Sequence, residues 1–177
     1  DCAPQSGTGA GKMYVSCGIT SGLTDLNQLL EIDLSTNAIS TLSAPGYAKQ
    51  DNGLVAPGNG KLYDFGGKPR VGTTNYDQKF REYDIGTDTW TELRDGTETE
   101  NVDRPAQRKN PVMWATTGKV YIYGGYSNNR PDSGGAGYLY DLWEYDIATD
   151  TFTNILPWDG IGISNPAGAA PSAPSGN

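Results

Sequence analysis

Glu82 with Asp84, and Glu144 with Asp146, stand two residues apart within short apolar stretches. On a strand that spacing puts both carboxylates on one face, and paired carboxylates are the equipment of glycoside hydrolysis. The pair recurs at the same place of a repeated phrase, which points to structural hydrogen bonding or a solvated face. The chain has no histidine. Imidazole metal ligands, Ser-His-Asp and Cys-His catalysis and a histidine pH switch are therefore excluded. Gly7-Thr8-Gly9-Ala10-Gly11-Lys12 imitates a phosphate-binding loop. Ser6 stands where that pattern wants glycine, Met13 where it wants Ser or Thr, and the run enters a strand instead of a helix. Asp95, Glu98, Glu100 and Asp103 make an oxygen-rich loop, but their spacing is not that of an EF-hand and Arg104 competes for the carboxylates. No catalytic set, cofactor or metal site is expected. Cys2 and Cys17 are the only cysteines. A disulfide between them would tie the N-terminal arm to the first repeat and suit an oxidising compartment; the other reading is a pair of unrelated thiols.

The carboxylate pairs belong to a phrase written three times. Gly11-Lys12-Met13-Tyr14, Gly60-Lys61-Leu62-Tyr63 and Gly118-Lys119-Val120-Tyr121 each open an apolar run. Glu31-Ile32-Asp33-Leu34, Glu82-Tyr83-Asp84-Ile85 and Glu144-Tyr145-Asp146-Ile147 follow them. Such a repeat fixes architecture before any single residue suggests chemistry. Small polar segments come next, with Asn37, Asp88 and Asp150 at their third place, the chemistry of a tight hairpin. Apolar and polar residues alternate on both sides of each turn, as in half-buried strands. Each unit then holds a strand b (12–17, 61–66, 119–124), a strand c (28–34, 79–85, 141–147) and a strand d (38–42, 89–93, 151–155). Leu54-Val55-Ala56 and Val112-Met113-Trp114-Ala115 supply strand a to the later two units. The first unit has only a weak candidate within 1–10. Leu23 to Leu30 reads as loop followed by strand.

The double glycines Gly66-Gly67 and Gly124-Gly125, a tyrosine in strand c and an aromatic in strand d carry a family resemblance. The chain resembles the kelch repeat, whose four-stranded antiparallel meanders form the blades of a β-propeller. The second and third units fit closely. The first departs from the pattern, with Cys17-Gly18 for the double glycine, Ile32 for the tyrosine and Ile39 for the aromatic. The Arg104-Pro105-Ala106 lead-in also resembles kelch proteins secreted by fungi. The resemblance implies an all-β chain: an N-terminal arm (1–10), a degenerate blade (11–42), two full blades (43–93 and 94–155) and a closing segment (156–177). Residues 163–177 are either a strand a for a further or partner blade or a Pro/Ala/Ser/Gly-rich tail.

Propellers close with about 4–8 blades. Three blades leave raw faces at both ends, because each blade buries its sides against its neighbours. The cover is the rest of a longer chain, a second copy completing a six-bladed ring, or an open filament, with the tail joining strand b of a first blade. In a meander the b–c and d–a connections share one face. Here they are long and variable, and variable loops on a rigid scaffold carry binding residues. The ligand-face candidates are Tyr47, Lys68, Arg70, Tyr76, Arg104, Arg108, Tyr126, Arg130, Tyr138 and Trp158, rich in the aromatic and arginine side chains that anchor interfaces.

The formal net charge of −8 repels phosphate backbones, so nucleic acid is not an expected partner. No apolar run reaches membrane-spanning length. The expected function is a non-enzymatic extracellular binding or assembly module contacting protein, with glycan as a second ligand class. The competing reading is a fragment or subunit of a larger secreted kelch-containing oxidase or hydrolase.

Overall fold

A computed structural model of the chain describes residues 2–4, 11–69, 76–130 and 135–157. The strands are β1 (Cys2–Pro4), β2 (Lys12–Ser16), β3 (Leu29–Asp33), β4 (Ile39–Leu42), β5 (Gln50–Val55), β6 (Lys61–Lys68), β7 (Phe80–Asp84), β8 (Thr89–Arg94), β9 (Val112–Thr116), β10 (Lys119–Ser127), β11 (Gly137–Asp146) and β12 (Thr151–Leu156). They form three four-stranded sheets, each an antiparallel meander in chain order. β5 lies beside β1 and also beside β9, so the first strands of the three sheets converge and the others fan outward.

The repeated phrase is a side-chain clasp across each sheet. Lys12 donates to Glu31 at 3.0 Å and pairs with Asp33 at 2.9 Å, while Tyr14 Oη donates to Glu31 at 2.8 Å. Lys61 pairs with Glu82 and Asp84, and Tyr63 Oη donates to Glu82 at 2.8 Å. Lys119 pairs with Glu144 and Asp146 in the third sheet. The strand-c aspartate also caps the following turn: Asp33, Asp84 and Asp146 accept the amides of Ser35 and Thr36, Gly86 and Thr87, Ala148 and Thr149. Asn37, Asp88 and Asp150 turn the chain at φ of 58°, 56° and 53°, a region their short polar side chains tolerate. The carboxylate pairs are thus consumed in holding b to c and c to d.

Two apolar joints lie between sheets. Tyr14 and Leu29 of the first meet Leu54, Leu62 and Tyr83 of the second. Tyr63, Phe65 and Phe80 of the second meet Val120, Ile122, Trp143 and Tyr145 of the third. Phe80 is the hub of the second joint, with ring centroids 4.7 Å from Tyr145 and 5.1 Å from Phe152. A glycine at the end of strand b completes each joint through the backbone. The Gly18 amide donates to the Lys49 carbonyl at 2.9 Å, and the Gly67 amide to the Arg108 carbonyl at 2.8 Å. A Cβ on Gly66 would sit 2.5 Å from the Arg108 carbonyl oxygen, so only glycine permits the approach.

Two expectations are corrected. The N-terminal arm is not separate from the first blade, because the weak strand-a candidate within 1–10 forms: β1 pairs with β2, with Cys2 opposite Val15 and Pro4 opposite Met13. Proline, which has no amide to donate, is tolerated because β1 is an edge of its sheet. Strand b of the first unit is therefore already paired within the chain, and the tail expected to join it, 163–177, lies outside the described residues. Nor is the disulfide present, because Cys17 is a buried free thiol. The register explains this, since Cys2 faces Val15 and not Cys17. Cys17 instead holds the place that Gly66 and Gly124 hold in the other sheets, at φ 57° against 73° and 59°. Between Leu23 and Leu30 the chain runs as loop and then strand, with Leu23 at φ 64° and β3 beginning at Leu29.

Candidate ligand-binding face

The b–c and d–a connections of the three sheets gather on one face. Between the first and second sheets they enclose an open cavity of about 480 Å³, lined among others by Tyr47, Lys49, Tyr76, Asp77, Arg81 and Glu92. Its floor is a buried charge cluster. Lys49 Nζ donates to Asp64 at 2.7 Å, to Asp77 at 2.9 Å and to the Gly66 carbonyl at 2.8 Å. Arg81 donates to Asp77 at 2.6 Å and lies over the Tyr47 ring, 3.7 Å from its centroid. Tyr47 Oη donates to Asp64 at 2.8 Å. Burial pushes the Tyr47 hydroxyl well above its ordinary pKa, and the charge of Asp64 adds to this. Burial alone would raise Asp77; Lys49 and Arg81 outweigh it and hold that carboxyl below its ordinary value. Two cations face two anions in the floor, so its charges are spent on one another.

Further along the same face three tyrosines from separate segments meet. Tyr76 lies 6.4 Å from Tyr126, and Tyr126 lies 5.2 Å from Tyr138, centroid to centroid. Tyr138 is 65% exposed. Lys109 Nζ covers the Tyr126 ring at 5.5 Å. Tyr76 belongs both to this row and to the cavity lining, so cavity and row form one surface reaching from the connection at 45–49 to the third sheet. The rings are inclined by 58° and 85°, which makes a notched surface instead of a flat platform.

The sequence candidates therefore divide. Tyr76, Tyr126 and Tyr138 come together, and Tyr47 joins them as the cavity wall. Lys68 ends β6 half-buried, and Arg130 lies against Gly137. Arg70 and Trp158 lie outside the described residues. Arg104 and Arg108 are not ligand-facing, being 1% and 0% exposed. Arg104 pairs with Glu98 at 3.5 Å and Glu100 at 3.4 Å and donates to the Gly96 carbonyl, which takes two of the acidic loop's carboxylates. Among the described residues no cluster of three acidic or cysteine side chains is arranged to hold a metal ion. Arg108 grips Asp141 with two bonds of 2.6 and 2.8 Å and donates to the carbonyls of Gly124 and Ala106. Asp141 also accepts the Trp143 indole N–H at 2.8 Å.

Lys49, Asp64, Arg81 and Asp141 were missed as polar members of the core. A signal for two of the buried charges was available. Lys49 and Arg108 each stand five residues before the matching strand-a residues Leu54 and Met113, and each donates to the carbonyl of the first glycine of its pair. The repeat thus has a further column, a cation ahead of strand a.

Three meanders with converging first strands, apolar joints between them and one loop-rich face define a set of β-propeller blades. The model of the KLHDC2/KLHL20/DRC7 Kelch-repeats domain matches residues 7–172, and the chain belongs to the kelch-repeat family. Kelch domains mediate protein interactions, which makes this a protein-binding fold. A search of curated proteins gives no match. Among the described residues no helix is long and apolar enough to cross a membrane.

Proposed function

We propose that this chain is a non-catalytic, extracellular binding and assembly module that seizes a protein segment on its loop-rich face. One observation carries the reading: Tyr76 links the cavity beside Lys49 and Arg81 to the row formed with Tyr126 and Tyr138. The result is a continuous groove-and-ridge surface across the second and third blades. Tyrosines offer large rigid contact area at low entropic cost, and the cavity admits one anchoring side chain. The internally paired charges of the floor favour a neutral or aromatic anchor, because a charged one would have to break an existing pair. The inclined rings suit a peptide better than a sugar, which prefers to lie flat on an aromatic face. The extracellular assignment rests on the resemblance to secreted fungal kelch proteins.

The test is to pan a displayed random-peptide library against immobilised protein and against a Tyr76→Ala, Tyr126→Ala, Tyr138→Ala variant. Enrichment on the first and loss on the second is expected. Equal enrichment on both removes the tyrosine row from the reading, and a glycan-array signal without peptide enrichment replaces protein by sugar. Turnover in a hydrolase or oxidase screen would overturn the non-catalytic assignment.

A further inference from the structure

The side of the third blade turned away from the second is an interblade face with no cover among the described residues. The repeat shows this position by position. Tyr63, Phe65 and Phe80 of the second blade are buried against the third. Their equivalents by register in the third blade are Tyr121, Tyr123 and Leu142. Val55, Gly53 and Leu93 correspond in the same way to Trp114, Val112 and Ile155. Val112 is 58% and Trp114 39% exposed. The first blade has the complementary face. Val120, Ile122, Trp143, Tyr145 and Phe152, which the third blade turns to the second, correspond to Met13, Val15, Leu30, Ile32 and Ile39. Ile39 is 65% exposed.

From this, and resting on the assembly half of the proposed function, the geometry points to a second copy of the chain as the occupant. The third blade of each copy stacks on the first blade of the other, giving a six-bladed ring with two equivalent joints. Side-chain size favours this occupant. The receiving face of the joint between the second and third blades carries Trp143, Tyr145 and Phe152, and the first blade has the smaller Leu30, Ile32 and Ile39 in their places. The opposing face gains bulk to match, with Trp114 for Val55 and Val112 for Gly53. Leu142, smaller than Phe80, runs the other way. In the joint between the second and third blades a Cβ on Gly53 would lie 2.4 Å from Met113 Sδ. Val112 holds the place of Gly53, and Cys2 holds the register place of Met113. Close packing requires such exchanges, since a joint with bulk on both sides or on neither leaves strain or a void.

Light scattering on the 177-residue chain tests the ring, alongside Ile39→Glu and Val112→Glu. Both positions are exposed in a single copy, and circular dichroism confirms that the variants fold. The expected mass is twice 18.9 kDa for the parent and 18.9 kDa for each variant. A second measurement uses Val112→Cys: oxidation should link it to Cys2 of a second copy, giving a covalent dimer that Cys2→Ser abolishes. A parent mass of 18.9 kDa at the highest soluble concentration overturns the proposal in favour of further blades as the cover. A dimer that survives both glutamates places the contact elsewhere, and a ladder of larger cross-linked species replaces the ring by an open stack. None of these residues belongs to the tyrosine row, so panning and mass measurements fail independently.

Discussion

Replacing Arg108 with methionine isolates the worth of the most deeply buried ion pair. Arg108 is 0% and Asp141 1% exposed, so neither charge has recourse to water. Arg108→Met removes two charge-assisted bonds from the Asp141 carboxylate and leaves it the Trp143 indole N–H as a donor. Stranding one member of a buried pair costs about 3–5 kcal/mol. For a chain of this length each kcal/mol lowers Tm by about 2–4 °C, so a fall of roughly 6–20 °C is expected. The double variant Arg108→Met, Asp141→Leu removes both charges. It leaves the Trp143 N–H and two carbonyls short of a partner, at about 1–3 kcal/mol for the buried donor. The double variant should therefore be more stable than the single one, a coupling of at least about 1 kcal/mol. Urea unfolding followed by tryptophan fluorescence reads both quantities, since Trp143 packs on the pair. A single-variant loss below about 1 kcal/mol, or a double variant no better than the single, would refute the assignment of this pair as a buried, mutually dependent unit.

The turn aspartates predict an acid limb. Hydrogen bonds from Ser35 and the ammonium of Lys12 hold Asp33 well below the ordinary carboxyl range; the Thr87 amide holds Asp84 low, and the Thr149 amide Asp146. Carboxyls lowered on folding contribute stability that is full above about pH 4, the unfolded value, and is lost as pH falls through the folded values. Tm measured from pH 7 to pH 2 should therefore drop at the acid end, and Asp84→Asn should flatten that limb; an unchanged slope would count against the caps. Asn37→Ala, in an exposed turn at φ 58°, should cost about 1 kcal/mol while Asn37→Gly does not, as checked by urea midpoints. Burial pushes the Cys17 thiol up to about 11, with Asp64 adding to it. It should resist iodoacetamide at pH 8 until urea is added, and the intact mass should show two thiols without reductant; fast native labelling of Cys17 would contradict the burial.

The blade plan was legible because it is written in short-range signals: alternation, Asn or Asp at the αL place of each turn, and glycine where backbones touch. The clasp of Lys61, Tyr63, Glu82 and Asp84 could be suspected from spacing. What escaped was polar burial. Arg104 looks like any loop arginine in one dimension, and only the fold brings Glu98 and Gly96 around it, whereas Arg108 stands out once its column is aligned with Lys49. The strand at Cys2–Pro4 showed only as a weak candidate because a short edge strand ending in proline has no alternation to read. The tyrosine row was legible as residue types, but its continuity needed three segments from two blades.

The glycine latches separate mechanics from recognition. Gly18 to Lys49 and Gly67 to Arg108 are joined main chain to main chain, so neither latch depends on which side chains the neighbouring connections carry. The requirement is confined to the missing Cβ at the glycines. Contact positions such as Tyr76 and Tyr138 are then free to exchange side chains without touching either latch. A library built there would sample new specificities on an unaltered frame, whereas a single alanine at Gly66 would disturb the frame and leave every contact residue in place.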